Sequence, residues 1–259
     1  MLLTFDVGNT ETTLGLYDGA TLRAHWRIIT EVARTPDEFG VLLRGLLAGD
    51  EIALPDVTGV AIGSVVPQVT APLAEACRRW LPSTRVQIID ARSKLPITLQ
   101  VDEPLTVGAD RIINTLAASR KYRRDAIVVD LGTATTFDCI TKDAVFLGGV
   151  IAPGVRTSAE TLFRRTSKLP ATELIAPARA IGTRTEECIR AGVMFGAAES
   201  IDGIVRRIKA EWPSAAEPLV VGTGGLAELF APLCRSFDEV DPHLTLYGLS
   251  LAYELLAGD

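Results

Sequence analysis

The 259-residue chain predicts an α/β protein of two related lobes facing one cleft, each lobe a mixed sheet flanked by helices. Three observations carry that expectation. An apolar strand ending in Asp, a Gly two residues on and a run of small hydroxyl or amide residues occurs twice, at Asp6-Val7-Gly8-Asn9-Thr10 and at Asp130-Leu131-Gly132-Thr133. The two copies are about a domain length apart, as a duplicated unit requires. Three strands and then strand–helix alternation follow the first Asp, an order that gives antiparallel pairing and then crossover connections. With 47% hydrophobic residues, a chain of this length is better divided into two lobes than kept as one.

Met1 to Gly19 reads as a hairpin with a polar bend, closed at its far end by an Asp18-Gly19 turn. Gly8 lets the backbone approach a ligand, and Asn9, Thr10, Thr12 and Thr13 offer short hydrogen-bonding groups suited to phosphate oxygens. Asp6 needs a cation to share that space with an anion. His25 to Thr30 is a third strand. Thr35-Pro36-Asp37-Glu38 starts a helix with a hydroxyl cap and Pro in its first turn, and Phe39, Leu42, Leu43, Leu46 and Leu47 share one face. A strand over Val57 to Ser64, a helix over Gln68 to Trp80 and a strand over Arg85 to Asp90 follow. Pro96 to Pro104 is an extended connector. Val107 to Arg111 opens a helix to Tyr122, where Gly108 and Ala109 leave the helix N-terminus uncrowded for a ligand. Asp110 is there either as a functional carboxylate or as an ordinary first-turn acid.

The second hairpin, from Ala126 to Asp138, leads into a strand with a Gly/Pro bend at Phe146 to Gly154 and a helix from Thr157 to Arg165. Ile181 to Thr185 caps a long helical tract in which Ile189, Val193, Met194, Ala197, Ile201, Ile204, Val205 and Ile208 recur at helical spacing, as core or as a subunit contact. That is more apolar surface than one lobe should need, which predicts a homodimer. Thr185 itself reads equally as part of an N-terminal turn. Pro218 to Gly225 is a strand with a Gly-rich exit, and Leu244 to Leu256 is a closing helix. Domain boundaries of 1–117 and 118–259 follow.

A net charge of −6 argues against nucleic-acid binding, and the Arg120 to Arg124 cluster reads as a solvated helix end. The N-terminus lacks a basic region, so it reads as a buried strand rather than a signal peptide, and no apolar run approaches a membrane span. Cys77, Cys139, Cys188 and Cys234 form no Cys-x-x-Cys pair, so free thiols in a reducing cytoplasm are expected. Only His25 and His243 exist, neither beside a nucleophile. Acid–base chemistry therefore falls to carboxylates.

Taken together, Asp6-Val7-Gly8-Asn9-Thr10, Gly108-Ala109-Asp110-Arg111, Asp130 to Thr136, Gly148 to Gly154 and Gly222 to Gly225 resemble a type III pantothenate kinase, from Met1 to about Tyr253. No P-loop is present. The resemblance implies two ribonuclease H-like lobes, with ATP and Mg2+ in the cleft between them. The implied ATP-binding residues are Asp6, Val7, Gly8, Asn9, Thr10, Glu11, Thr12, Thr13 and Thr133. It implies a monovalent cation, K+ or NH4+, on Asp130. Pantothenate would be bound by Val101, Gly108, Ala109, Asp110, Arg111 and, from the partner subunit, Thr185. Asp110 would be the general base, and the product 4'-phosphopantothenate on the way to coenzyme A. A non-catalytic regulatory protein, or a kinase for another small alcohol, are the alternatives.

Three positions depart from the family's usual pattern. Val101 stands where Tyr or Phe is common, and Glu103 where Asn is. Glu11 places a carboxylate in the phosphate bend, and it should weaken ATP binding unless it turns outward or meets magnesium.

Overall fold

The computed structural model describes residues 1–81 and 83–258. Backbone contacts divide the chain into a unit of Met1–Lys121 with the segment from Leu244, and a unit of Tyr122–His243. In the first unit the order is β1 (Leu2–Val7), β2 (Glu11–Asp18), β3 (Thr21–Ile29), α1 (Pro36–Gly49), β4 (Gly59–Ser64), α2 (Pro67–Trp80), β5 (Arg85–Ile89), β6 (Thr98–Leu99) and α3 (Ala109–Tyr122). The second contains β7 (Ala126–Leu131), β8 (Ala134–Ile140), β9 (Val145–Pro153), α4 (Val155–Arg165), α5 (Thr185–Ala210), β10 (Leu219–Thr223), α6 (Ala227–Phe230) and β11 (Glu239–Val240). The chain closes with α7 (Leu244–Ala257).

The two sheets repeat one topology. Strands of the first unit run β3-β2-β1-β4-β5, with β1–β2 and β2–β3 antiparallel and β1–β4 and β4–β5 parallel. Five of the six strands of the second sheet run β9-β8-β7-β10-β11 with the same directions. The first strand of each hairpin, β1 or β7, therefore has an antiparallel neighbour on one side and a parallel one on the other. A carboxylate near its end is flanked from both.

Local chemistry sets the ends of these elements. Thr35 and Glu38 form a reciprocal capping box at the start of α1, with Pro36 in the first turn, as the sequence predicts. Gly19 at φ +56 makes the tight β2–β3 turn.

One core of the first unit lies under β1, β2 and β4, where Leu3, Phe5, Leu14, Leu16 and Ile62 meet Phe39 and Leu43 of α1 and Leu73 of α2. A further cluster joins Ile112, Ile113 and Leu116 of α3 to Leu246, Leu249 and Ala252 of α7. This packing explains why α7 groups with the first unit, whereas the sequence placed 118–259 together; the last residue of that range, Asp259, lies outside the described residues. The helix buries its apolar side on α3, although it follows β11 in the chain.

In the second unit, Ile189, Val193, Met194, Ile201 and Val205 of α5 pack on Ile127, Val129 and Leu131 of β7, with Ala197, Ile204 and Ile208 partly buried against the same cluster. The apolar stripe of α5 is thus largely consumed by its own unit. Ala197, Ile204 and Ile208 stay partly exposed, so the stripe serves mainly as core and does not by itself establish a dimer.

Candidate active site

The first hairpin is braced from behind. Gly8 N–H donates to the Glu11 carbonyl (3.1 Å) across the bend. Thr30, just past β3, holds it in place: its N–H donates to the Thr10 carbonyl (2.9 Å) and its hydroxyl to the Gly8 carbonyl (2.7 Å). Thr12 and Thr30 share a hydroxyl–hydroxyl bond of 2.9 Å. Because Thr12 is buried, its hydroxyl supports the bend, while Asn9, Thr10 and Glu11 are exposed at the tip. From the sequence alone Thr30 is only the end of a strand. A hydroxyl closing a strand opposite a Gly bend is the signal that points to this role.

Glu11 turns outward. Its carboxylate lies 3.5 Å from Arg27 Nε, both side chains being nearly half exposed. Register makes this a diagonal pair, since Glu11 faces Ile29 and Thr13 faces Arg27 on β3. The charge that threatened the phosphate bend is held on a guanidinium.

Asp6, the last residue but one of β1, is half-buried and faces Thr13 on β2 and Gly63 on β4. The N-terminus of α3 adjoins this edge. Val65 N–H donates to the Val7 carbonyl (3.1 Å), and a Cβ on Gly108 would lie 3.3 Å from Val65 Cγ1 and 2.5 Å from Asp110 Oδ1. Any side chain at 108 would therefore displace the Asp110 carboxylate. Gly108 to Arg111 thus stand beside the carboxyl ends of β1 and β4, the edge where open α/β sheets bind ligands.

The Asp110 carboxylate accepts the Arg111 N–H at 2.9 Å. Burial pushes its pKa above the ordinary carboxylate value, against the opposing pull of that hydrogen bond and of the Arg111 guanidinium. A first-turn acid that only stabilised a helix would be solvated and held low. Asp110 is partly buried, and the effect of that burial outweighs both pulls, as is common for functional carboxylates. Val101 sits half-buried in the connector before α3, and the Glu103 carbonyl closes a short turn by accepting from Thr106 N (3.1 Å) and Oγ1 (2.8 Å). The Glu103 side chain is exposed.

The second hairpin is built alike. Asp130, the last residue but one of β7, faces Thr136 on β8 and Thr223 on β10. Gly132 N–H donates to the Ala134 carbonyl (3.0 Å), and Thr157 Oγ1 braces the Thr133 carbonyl from α4 (2.8 Å). Thr133 is exposed at the tip. The Gly-rich exit of β10 presses on this hairpin: Gly224 has φ +86, and a Cβ there would lie 2.8 Å from Leu131 N and against Asp130 Oδ1. Thr185 is the exposed first residue of α5, preceded by Thr183, whose N–H donates to Glu187 Oε2 (2.8 Å).

Among the described residues, no group of three or more His, Cys, Asp or Glu side chains is arranged to hold a metal ion, and all four cysteines are free. No helix among them is long and apolar enough to cross a membrane.

Two mixed sheets that share one five-strand order, each tipped by an Asp-x-Gly hairpin, define a duplicated α/β fold. Solved structures agree at the level of fold. A 2-dehydro-3-deoxygalactonokinase-like protein from Sinorhizobium meliloti superposes with TM-score 0.61 at 14% identity, covering 98% of this chain and 96% of that one. Component A of the (R)-2-hydroxyglutaryl-CoA dehydratase from Acidaminococcus fermentans gives TM-score 0.56 at 14% identity, covering 99% and 98%. Within that class, residues 2–207 match the family described as type III pantothenate kinase. A type III pantothenate kinase of Anaeromyxobacter sp. (strain K) is 45% identical over 254 residues, 98% of this chain and 99% of its own length. That of Moorella thermoacetica is 43% identical over the same shares. The chain belongs to the type III pantothenate kinase family.

Proposed function

We infer that this protein transfers the γ-phosphoryl group of ATP to the primary hydroxyl of pantothenate, giving 4'-phosphopantothenate and ADP in the first step of coenzyme A synthesis. Family membership supports the reaction. The observation that carries its assignment to residues is Asp110, partly buried at the start of α3 and beside the carboxyl ends of β1 and β4.

In this reading the first bend, Asp6 to Thr13, and Thr133 at the second hairpin hold the triphosphate. Asn9 and Thr10 present their polar groups at the tip, and Gly8, Thr12 and Thr30 keep the bend rigid. Gly108, Ala109, Arg111 and Val101 line the pantothenate side, and Thr185 serves the partner's site in a homodimer. The pantothenate oxygen attacks the γ-phosphorus as the bond to the ADP oxygen breaks, and the hydroxyl proton passes to Asp110. A loose phosphoryl-transfer transition state asks mostly for positioning and charge neutralisation, so Asp110 receives the proton late.

The donor set fits the implied cations. One carboxylate with neutral hydroxyls, as at Asp130 with Thr136 and Thr223, suits a monovalent ion on hard oxygens, while Mg2+ is carried largely by ATP phosphates and water. Bound there, the cations offset phosphate charge. Free thiols support a reducing, cytoplasmic setting.

A coupled ADP-release assay tests the reading, with pantothenate set against a panel of primary alcohols in potassium and in sodium buffers. Turnover should be confined to pantothenate and close analogues and be faster in potassium. Equal ADP release from unrelated alcohols would move the substrate assignment, and equal rates in both salts would give Asp130 another role.

A further inference from the structure

Thr223, the last residue of β10, is fully buried, and its hydroxyl has no hydrogen-bond partner among the described residues. A buried hydroxyl without a partner is less stable than a methyl group in the same place, so packing alone does not account for it. A role as ligand to something bound beside it does.

Its position suits a cation. Register on the parallel side sets Thr223 beside Asp130, and register on the antiparallel side sets Thr136 there. Paired residues of neighbouring strands project to the same face, so Thr136, Asp130 and Thr223 form a polar row across β8, β7 and β10. The next residue, Gly224, turns at φ +86 and carries its backbone hard against the Asp130 carboxylate. Nothing larger than Gly would leave the Thr223–Asp130 corner open.

The duplicated unit provides an internal comparison. Asp6 has Thr13 on its antiparallel side, just as Asp130 has Thr136. On the parallel side, however, Asp6 faces Gly63, which brings no donor, whereas Asp130 faces a hydroxyl. The two hairpins differ at the one position where a second oxygen ligand would stand.

We propose that Thr223 Oγ1 is a ligand, with the Asp130 carboxylate, for the monovalent cation, and that this hydroxyl makes the second unit the cation-binding half of the enzyme. The proposal rests on reading Asp130 as the cation site. The hydroxyl adds an oxygen donor beside the carboxylate without adding negative charge. Divalent ions favour sites richer in carboxylates. The carboxylate thus sets the charge class of the ion, and the hydroxyl how tightly that ion is held.

The test titrates KCl against NaCl at constant ionic strength, with magnesium and a non-hydrolysable ATP analogue, and reads the melting temperature. The proteins are the parent, Thr223→Val, Thr223→Ser, Thr223→Ala and Asp130→Asn. Half-activating potassium in turnover is measured alongside. The parent should show a potassium-specific rise in melting temperature that Asp130→Asn abolishes. In Thr223→Val the potassium concentration giving half of that rise, and half-activation, should increase about tenfold or more, with Ser returning both to within roughly twofold of the parent. In sodium, Thr223→Val should melt no lower than the parent, because no hydrogen bond is lost; Thr223→Ala repeats the potassium comparison if the valine does not fold. A parent that does not respond to potassium removes the cation reading of Asp130, and this proposal with it. A responsive parent with identical Val or Ala variants leaves that reading standing and overturns the role of Thr223.

Discussion

Asp110 is pulled in two directions: burial raises its pKa, while the Arg111 N–H at 2.9 Å and the Arg111 guanidinium favour the anion. The balance lies on the raised side, with consequences for both rate and stability. As a base it must be ionised, so the acid limb of the kcat–pH profile should lie above the ordinary carboxylate pKa of about 3.9. For stability the sign is opposite. An unfolded Asp titrates near that ordinary value and the folded one higher, so the contribution of Asp110 is fully present below the unfolded pKa and lost as pH rises through the folded one. Asp110→Asn should lower kcat by roughly 10²–10⁴ while leaving the melting temperature at pH 7 unchanged or raised. Any gain should shrink toward pH 4. Near-normal kcat would remove Asp110 as the base. Thr30 is a second single-residue lever: Thr30→Val removes the donor to the Gly8 carbonyl and should cost about 1 kcal/mol in urea unfolding, with KM for ATP rising more than kcat falls. An unchanged KM would show that the bend is held without it.

Among the elements, α7 is the one whose partner is not its chain neighbour. Leu249 is completely buried between α7, α3 and the first sheet, so Leu249→Ala should cost about 2–5 kcal/mol by denaturant unfolding. If hydrogen exchange were then faster in β7 and β8 and unchanged in β1 and β4, the assignment of α7 to the first unit would fall. The two hairpins make the complementary point. They share a carboxylate and a bend but are braced differently, by Thr30 after a strand in one and by Thr157 on a helix in the other. The repeat fixes where the loop is, and its supports are local solutions.

At the scale of the whole protein, the homodimer needs a functional test, because most of the apolar face of α5 serves its own core. If Thr185 serves the partner's site, Thr185→Ala and Asp110→Asn should complement. Mixed subunits would carry one site with both defects and one intact, restoring roughly a quarter of parental activity after exchange. Light scattering should give twice the monomer mass. No recovery on mixing, with dimers present, would place Thr185 in its own subunit's site.

Much of this architecture is legible in the residues themselves. The Asp-x-Gly repeat announces two units, Thr35-Pro36 and Glu38 announce the start of α1, and Gly108-Ala109-Asp110-Arg111 announces an uncrowded helix start with a carboxylate, because each is a short-range pattern in which spacing fixes geometry. Only the tertiary structure decided the rest. That Glu11 leans on Arg27, that Thr30 holds the Gly8 carbonyl, that Thr223 is buried beside Asp130 and that α7 packs on α3 all depend on strand register and long-range packing. Neither is encoded in the spacing of any one segment. Register is set when whole faces are buried together, and a residue's partners across a sheet exist only after that burial has chosen one alignment.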